Sequence, residues 1–247
     1  MPRTARKKSK TGIYHIILRG INRQTIFVDD EDNEKFLQTL IDCKEISGFE
    51  LYGYCLMGNH AHILLKEKEE NLEQIFKRIG SRYVYWYNWK YNRCGHLFQD
   101  RFKSEPVEDD GYFVAVLRYI NQNPLNAGMS TSIDNYRWSS YKAYIEKTRT
   151  IDYEFALGII NEKNYISFMS EEGKEKCLEI GNKRLQDIEL MELIEAKYNV
   201  KAIMIQSEPR TKIEQILREV LKIDGVSTRQ LSRVTGISVN IIWRLNV

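Results

Sequence analysis

Cysteine and histidine are scarce in this chain, neither sign of charge clearly prevails, and long apolar runs are missing. Each shortage removes a class of explanation. The four cysteines, Cys43, Cys55, Cys94 and Cys177, are scattered through 247 residues with no C-x-x-C pair. They read as reduced, packed thiols of a cytoplasmic protein, not as a structural zinc cluster. No stretch approaches the roughly 20 apolar residues that a membrane helix needs. The basic start is not followed by the hydrophobic run of a secretory signal, so no membrane partner is expected. A net charge of +3 says little about polyanions. A hydrophobic content of 43% with scattered aromatics supports globular folding, and the length allows one catalytic domain plus a smaller module.

Charge is informative only locally. Arg3, Arg6, Lys7, Lys8 and Lys10 fall within the first ten residues with no acid among them. Such an arm either neutralises phosphates, giving salt-dependent binding, or serves as a solubilising tail.

The most informative segments are Met57-Gly58-Asn59-His60-Ala61-His62 and Arg118-Tyr119-Ile120-Asn121-Gln122-Asn123-Pro124. The first runs into Ile63-Leu64-Leu65 and reads as a buried strand. Side chains two apart on a strand share a face, which puts His60 and His62 together and Ala61 behind them. The second reads as the end of a helix stopped before Pro124, with Tyr119 and Asn123 neighbours four apart. If strand and helix pack, two imidazoles, a carboxamide and a phenol converge. That set suits a divalent cation with open positions, Mg²⁺ or Mn²⁺, and a nucleophile aimed at phosphate. A phenol, with a pKa near 10, needs such help to attack.

Four ordered stretches resemble the single-tyrosine HUH transposases, within them the REP-associated tyrosine transposase branch. They are Gly12-Ile13-Tyr14-His15-Ile16-Ile17-Leu18-Arg19-Gly20 with Asn22-Arg23-Gln24 and Ile26-Phe27, then the histidine segment above. Gly95-His96-Leu97-Phe98-Gln99-Asp100-Arg101-Phe102-Lys103 and Tyr119-Ile120 with Asn123-Pro124 and Ala127-Gly128 complete the set. The resemblance covers about residues 12–145. It implies that His60, His62 and Asn123 hold the metal and that Tyr119 attacks DNA. It further implies cleavage of single-stranded DNA near imperfect hairpins, with strand rejoining in transposition-linked members, and a basic arm that helps hold the hairpin. Ala61 departs from the bulky hydrophobic residue usual at its position, which bears on packing behind the site and not on the ligand set.

The remaining pattern predicts strands over Tyr14 to Arg19, Phe49 to Leu56, Ala61 to Leu65 and Lys103 to Val107. Helices are expected from Asp29-Asp30 to a stop at Gly48, from a cap at Asn71 through an aromatic-rich stretch, and from Asp109-Asp110 to Asn123. That order predicts an α+β fold, a ferredoxin-like antiparallel sheet with helices on one face. Aromatics of the second helix outside the core are available to stack on unpaired bases. His15 reads as a core or DNA-contacting residue and not as a ligand. His96 reads the same way on ligation, and Arg101 and Lys103 beside it are candidate phosphate contacts.

Beyond residue 147 the chain turns polar. Residues 148–207 read as a helical connector without chemistry, and 208–247 as a helix-turn-helix module after the arm (1–11) and the catalytic domain (12–147). In Val226 to Leu245, Gly236 makes the turn, and Ser238, Asn240, Trp243 and Arg244 fall on or near the exposed face of a recognition helix; the plainer reading is a helical hairpin. The expected partners are hairpin-bearing single-stranded DNA and, through the C-terminal module, duplex DNA, with the protein a monomer or homodimer. The competing function is a non-catalytic DNA-binding regulator using the arm and the helix-turn-helix. The intact quartet of His60, His62, Tyr119 and Asn123 favours the enzyme.

Overall fold

A computed structural model describes residues 6–99, 101–171, 173, 177–178, 187–223 and 226–245. Arg3 of the basic arm lies outside them. The chain divides into two compact units, residues 1–178 and 179–247.

The first unit opens with β1 (Ile13–Arg19), α1 (Asp30–Ser47), β2 (Glu50–Met57), β3 (His60–Lys66), α2 (Leu72–Lys90) and β4 (Lys103–Pro106). The helix bounds follow from side-chain chemistry. Asp29 and Asp32 form a reciprocal capping box at the start of α1, and Gly48 ends it in the left-handed region. Asn71 and Gln74 do the same for α2. The strands form one antiparallel sheet in the order β2-β3-β1-β4. This is the expected ferredoxin-like arrangement, since β1 and β2 are separated by the antiparallel β3. Residues 138–140 shield the outer edge of β2 through Leu56 N–H to Trp138 O and Ser140 N–H to Tyr54 O, both 2.9 Å.

As expected of the ferredoxin-like sheet, α1 and α2 share one face, and a further helix covers the other. Tyr14, Ile16, Leu18, Ala61 and Ile63 point to the face served by α1 and α2, where Leu18 and Phe76 line one cavity. Ala61 is fully buried there. The opposite face carries His15, Ile17, Arg19, His60, His62 and Leu64, and on it lies α3 (Asp110–Asn126). α3 packs closely over Gly53, where a Cβ would stand 2.9 Å from Leu117 Cδ1.

Pro124 does not stop α3, which runs to Asn126 with Pro124 inside it. Pro124 lacks only the N–H that would reach Ile120, and the chain closes beyond it through Ala127 N–H to Asn123 O and Met129 N–H to Pro124 O, both 2.9 Å.

α3 buries residues around most of its circumference, so it needs cover on its outer side as well. After α4 (Tyr141–Ile145), that cover comes from α5 (Tyr153–Ile160) and α6 (Tyr165–Ser170). Arg118 stacks over Phe168 at 4.5 Å, and Gln122 Nε2 donates to Met169 O at 2.8 Å. Ile151, Ala156, Tyr165 and Met169 therefore join the core of the first unit, although the polar sequence suggested a connector.

The second unit holds α7 (Asp187–Tyr198), a 3₁₀ turn (Ala202–Ser207), α8 (Arg210–Leu221), α9 (Thr228–Thr235) and α10 (Val239–Arg244). Its own core includes Leu190, Ile194, Ile205, Leu217, Leu231 and Ile242. Ser227 caps α9, and Gly236 turns the chain at φ 73°, with Ile203 Cδ1 3.2 Å from where a Cβ would stand. No described helix is long and apolar enough to cross a membrane.

Candidate functional site

The site is built on the α3 face of the sheet, at the end where β3 begins. In an antiparallel pair, residues opposite each other share a face. His60 lies opposite Arg19 and His62 opposite Ile17, which in turn faces Lys103 on β4. With His15 also on this face, one surface carries three imidazoles and two cations across three strands.

Each imidazole has one nitrogen engaged. His60 Nδ1 is 2.7 Å from Asn59 Oδ1. A carboxamide oxygen only accepts, so Nδ1 carries the hydrogen and Nε2 keeps its lone pair. His62 Nδ1 is 3.0 Å from His15 Nε2. The His60 and His62 rings are 5.0 Å apart between centroids, and those of His15 and His62 stack at 5.2 Å.

Burial keeps these rings neutral. It pushes the pKa of His15 down to about 3 and, together with the Arg19 charge, that of His60 down to about 4. His62 falls well below its ordinary value through burial and the two neighbouring histidines. A neutral imidazole is the form that ligates a metal.

α3 brings Tyr119 to the same place. Its ring meets His62 edge-on at 5.6 Å and His15 at 5.9 Å. One turn on, Asn123 donates from Nδ2 to Tyr119 O at 3.4 Å, which leaves Oδ1, the amide atom able to bind a cation, for another partner. No three His, Cys, Asp or Glu side chains among the described residues are grouped to hold a metal. The available donor set is thus two neutral imidazoles and an amide oxygen, and its chemistry fits a divalent cation with open positions.

The predicted DNA contacts divide. Lys103 shares the histidine face. Arg6 and Arg101 line a groove with Phe76, Phe98 and Phe102, Arg6 stacking on Phe102 at 3.7 Å and pairing with Glu73 at 2.8 Å. Lys7 and Lys8 flank an adjoining groove, and Lys10 is exposed where its backbone N–H bonds Glu108 at 3.0 Å. His96 is exposed in its loop. In the second unit Ser238, Asn240 and Arg244 are exposed along α10, together with Val239, Ile241 and Trp243.

Two residues matter more to the site than their place in the sequence suggested. Arg19 was visible only as part of a motif, because nothing local says that it faces His60. His15 needs the β1–β3 register, which a sequence pattern does not give.

Comparison with known proteins points the same way. Residues 8–123 match the family model described as "Transposase IS200 like". A search of curated proteins gives no match. Among solved structures, a REP-associated tyrosine transposase bound to a REP hairpin aligns with a TM-score of 0.51 at 14% identity, covering 72% of this chain and all of that one. A putative transposase from Deinococcus radiodurans R1 aligns with a TM-score of 0.36 at 18% identity, covering 51% of this chain and 97% of that one. The first likeness shows a shared fold.

Proposed function

We propose, from the match of residues 8–123 to the IS200-like transposase model, that this protein cleaves and rejoins single-stranded DNA at hairpins through a covalent phosphotyrosine intermediate. The observation that carries the reading is the meeting of Tyr119 with His62, ring to ring at 5.6 Å, within a family-matching segment. The hairpin comes from the relative solved with a REP hairpin, and from cations beside the site.

Tyr119 is the nucleophile. Its Oη bonds to phosphorus, one P–O bond to the neighbouring sugar breaks, and the freed sugar oxygen gains a proton while the phenol loses one to solvent. The energy of the broken bond stays in the phosphotyrosine link, so a second strand can be joined without ATP. His60 and His62 through Nε2, and Asn123 through Oδ1, would hold Mg²⁺ or Mn²⁺. When bound, such a cation supplies Lewis-acid polarisation of the phosphate and neutralises charge in the transition state. Arg19 and Lys103, on the same face, hold the phosphate near the phenol. Lys7, Lys8, Lys10, Arg6 and Arg101 track the flanking backbone, and the α9–α10 hairpin serves duplex DNA.

The test is a denaturing gel of labelled hairpin DNA incubated with Mn²⁺ and either wild-type protein or Tyr119→Phe. An adduct in wild type alone supports the mechanism. An adduct that persists in Tyr119→Phe shows that another residue attacks. Tight binding without an adduct on a panel of hairpins points to the regulator reading instead.

A further inference from the structure

Beside the candidate ligands sits a third histidine, in surroundings that are unusual for a packing residue. His15 is fully buried on β1. Its Nε2 meets His62 Nδ1 at 3.0 Å, and its Nδ1 has no hydrogen-bond partner among the described residues. Burying a polar atom without a partner costs stability. An apolar side chain of similar volume would fill the same space without that cost. Packing therefore does not account for an imidazole here, whereas its single bond to His62 does.

That bond has a directional consequence. With Nδ1 facing His15, His62 has only Nε2 left for a ligand. A ligating histidine depends on a partner for its other ring nitrogen, which sets both tautomer and ring orientation. Carboxylates or backbone carbonyls usually supply that partner. Here the neighbour across Nδ1 is a second neutral imidazole, stacked on His62 at an interplanar angle of 25°. The hydrogen bond between the nearly coplanar rings holds His62 with Nδ1 toward His15.

We propose that His15 is a positioning residue for the metal site: its Nε2 accepts the Nδ1–H of His62 and so presents His62 Nε2 to the cation. The assignment rests on the functional reading above, in which His62 is a ligand. It adds a residue that touches neither metal nor DNA.

The experiment titrates full-length protein with Mn²⁺ alone, following free Mn²⁺ by electron paramagnetic resonance, with thermal unfolding measured in parallel. His15→Leu keeps the volume and removes the acceptor. Its Mn²⁺ affinity should fall by about 10- to 100-fold, while its melting temperature in metal-free buffer holds or rises. His15→Gln returns an acceptor near the Nε2 position and should recover much of the affinity. A merely structural histidine would give the reverse pattern, a lower melting temperature with unchanged affinity, and that result overturns the proposal. Weakening by Leu that Gln does not relieve also overturns it, because shape and not the hydrogen bond would then matter. If His15→Leu fails to fold, His15→Phe supplies the same comparison. The functional reading fails separately. Wild-type protein that binds no Mn²⁺, or binding that survives His60→Ala with His62→Ala, removes the metal site itself and the role of His15 with it.

Discussion

Tyr119 presents its ring edge-on to His62, at an interplanar angle of 82°. The two residues come from elements that are far apart in sequence, a helix after β4 and a strand before α2. What joins them is the seating of α3 on the sheet, where Leu117 of the helix packs against Gly53.

Gly53→Ala tests this. The new methyl would stand 2.9 Å from Leu117 Cδ1, two residues before Tyr119 on the same helix. Overpacking of this kind costs about 1–3 kcal/mol. The displaced helix should also lower DNA cleavage by more than it lowers hairpin binding. Denaturant unfolding and single-turnover cleavage check the two parts. Unchanged cleavage would show that α3 can move without disturbing the site.

The buried rings predict acid sensitivity. A histidine whose pKa is lowered by folding favours the neutral form, so the unfolded chain takes up protons first as the pH falls. The stabilisation is complete above about pH 6.5 and is lost from there toward pH 4, at up to about 1.4 kcal/mol per pH unit for each ring. The window follows from His15 and His60, at about 3 and about 4. Melting temperatures in metal-free buffer should decline below pH 6.5, and less steeply in His60→Ala with His62→Ala. An identical slope in that variant would place the acid-labile groups elsewhere.

Lys7 and Lys8 are exposed beside a groove that also holds Arg6 and Arg101. Replacing both lysines with Ala should weaken hairpin binding and reduce the slope of log affinity against log salt by about 0.7 for each phosphate no longer neutralised. Fluorescence anisotropy across a salt series measures this. An unaltered slope would make the arm a tail after all.

In the second unit, Asn240 and Arg244 are exposed on α10. Asn240→Ala with Arg244→Ala should reduce duplex binding several-fold and leave hairpin cleavage unchanged. Mobility shifts on duplex and hairpin DNA separate the two. If duplex affinity does not move, the exposed Ile241 and Trp243 become better evidence for a protein partner than for a DNA groove.

Parts of this site were legible from local chemistry. The caps Asp29 and Asn71 and the stop at Gly48 mark α1 and α2 because each acts within a few residues of itself. Strand alternation put His60 and His62 on one face, and helical spacing put Asn123 beside Tyr119. What escaped the sequence depends on long-range geometry. The pairing of His15 with His62 needs a register between strands 47 positions apart. The inclusion of α5 and α6 in the first core follows from how completely α3 is buried, which its own residues suggest only once its neighbours are known. Pro124 misled because it forbids one hydrogen bond and not the helix.

Asn123 and Tyr119 are linked by a bond from amide to carbonyl along one helix. Four residues of helix span about 6 Å along its axis, and that spacing is the same wherever α3 goes. The proposed nucleophile and third metal ligand are therefore teeth on a single key. A shift of α3 withdraws both or inserts both, so rigid movement of the helix gives no state in which the metal is fully held while the phenol is out of reach. Under that proposal the two groups would advance or withdraw together with the helix, which lies against the sheet at Gly53.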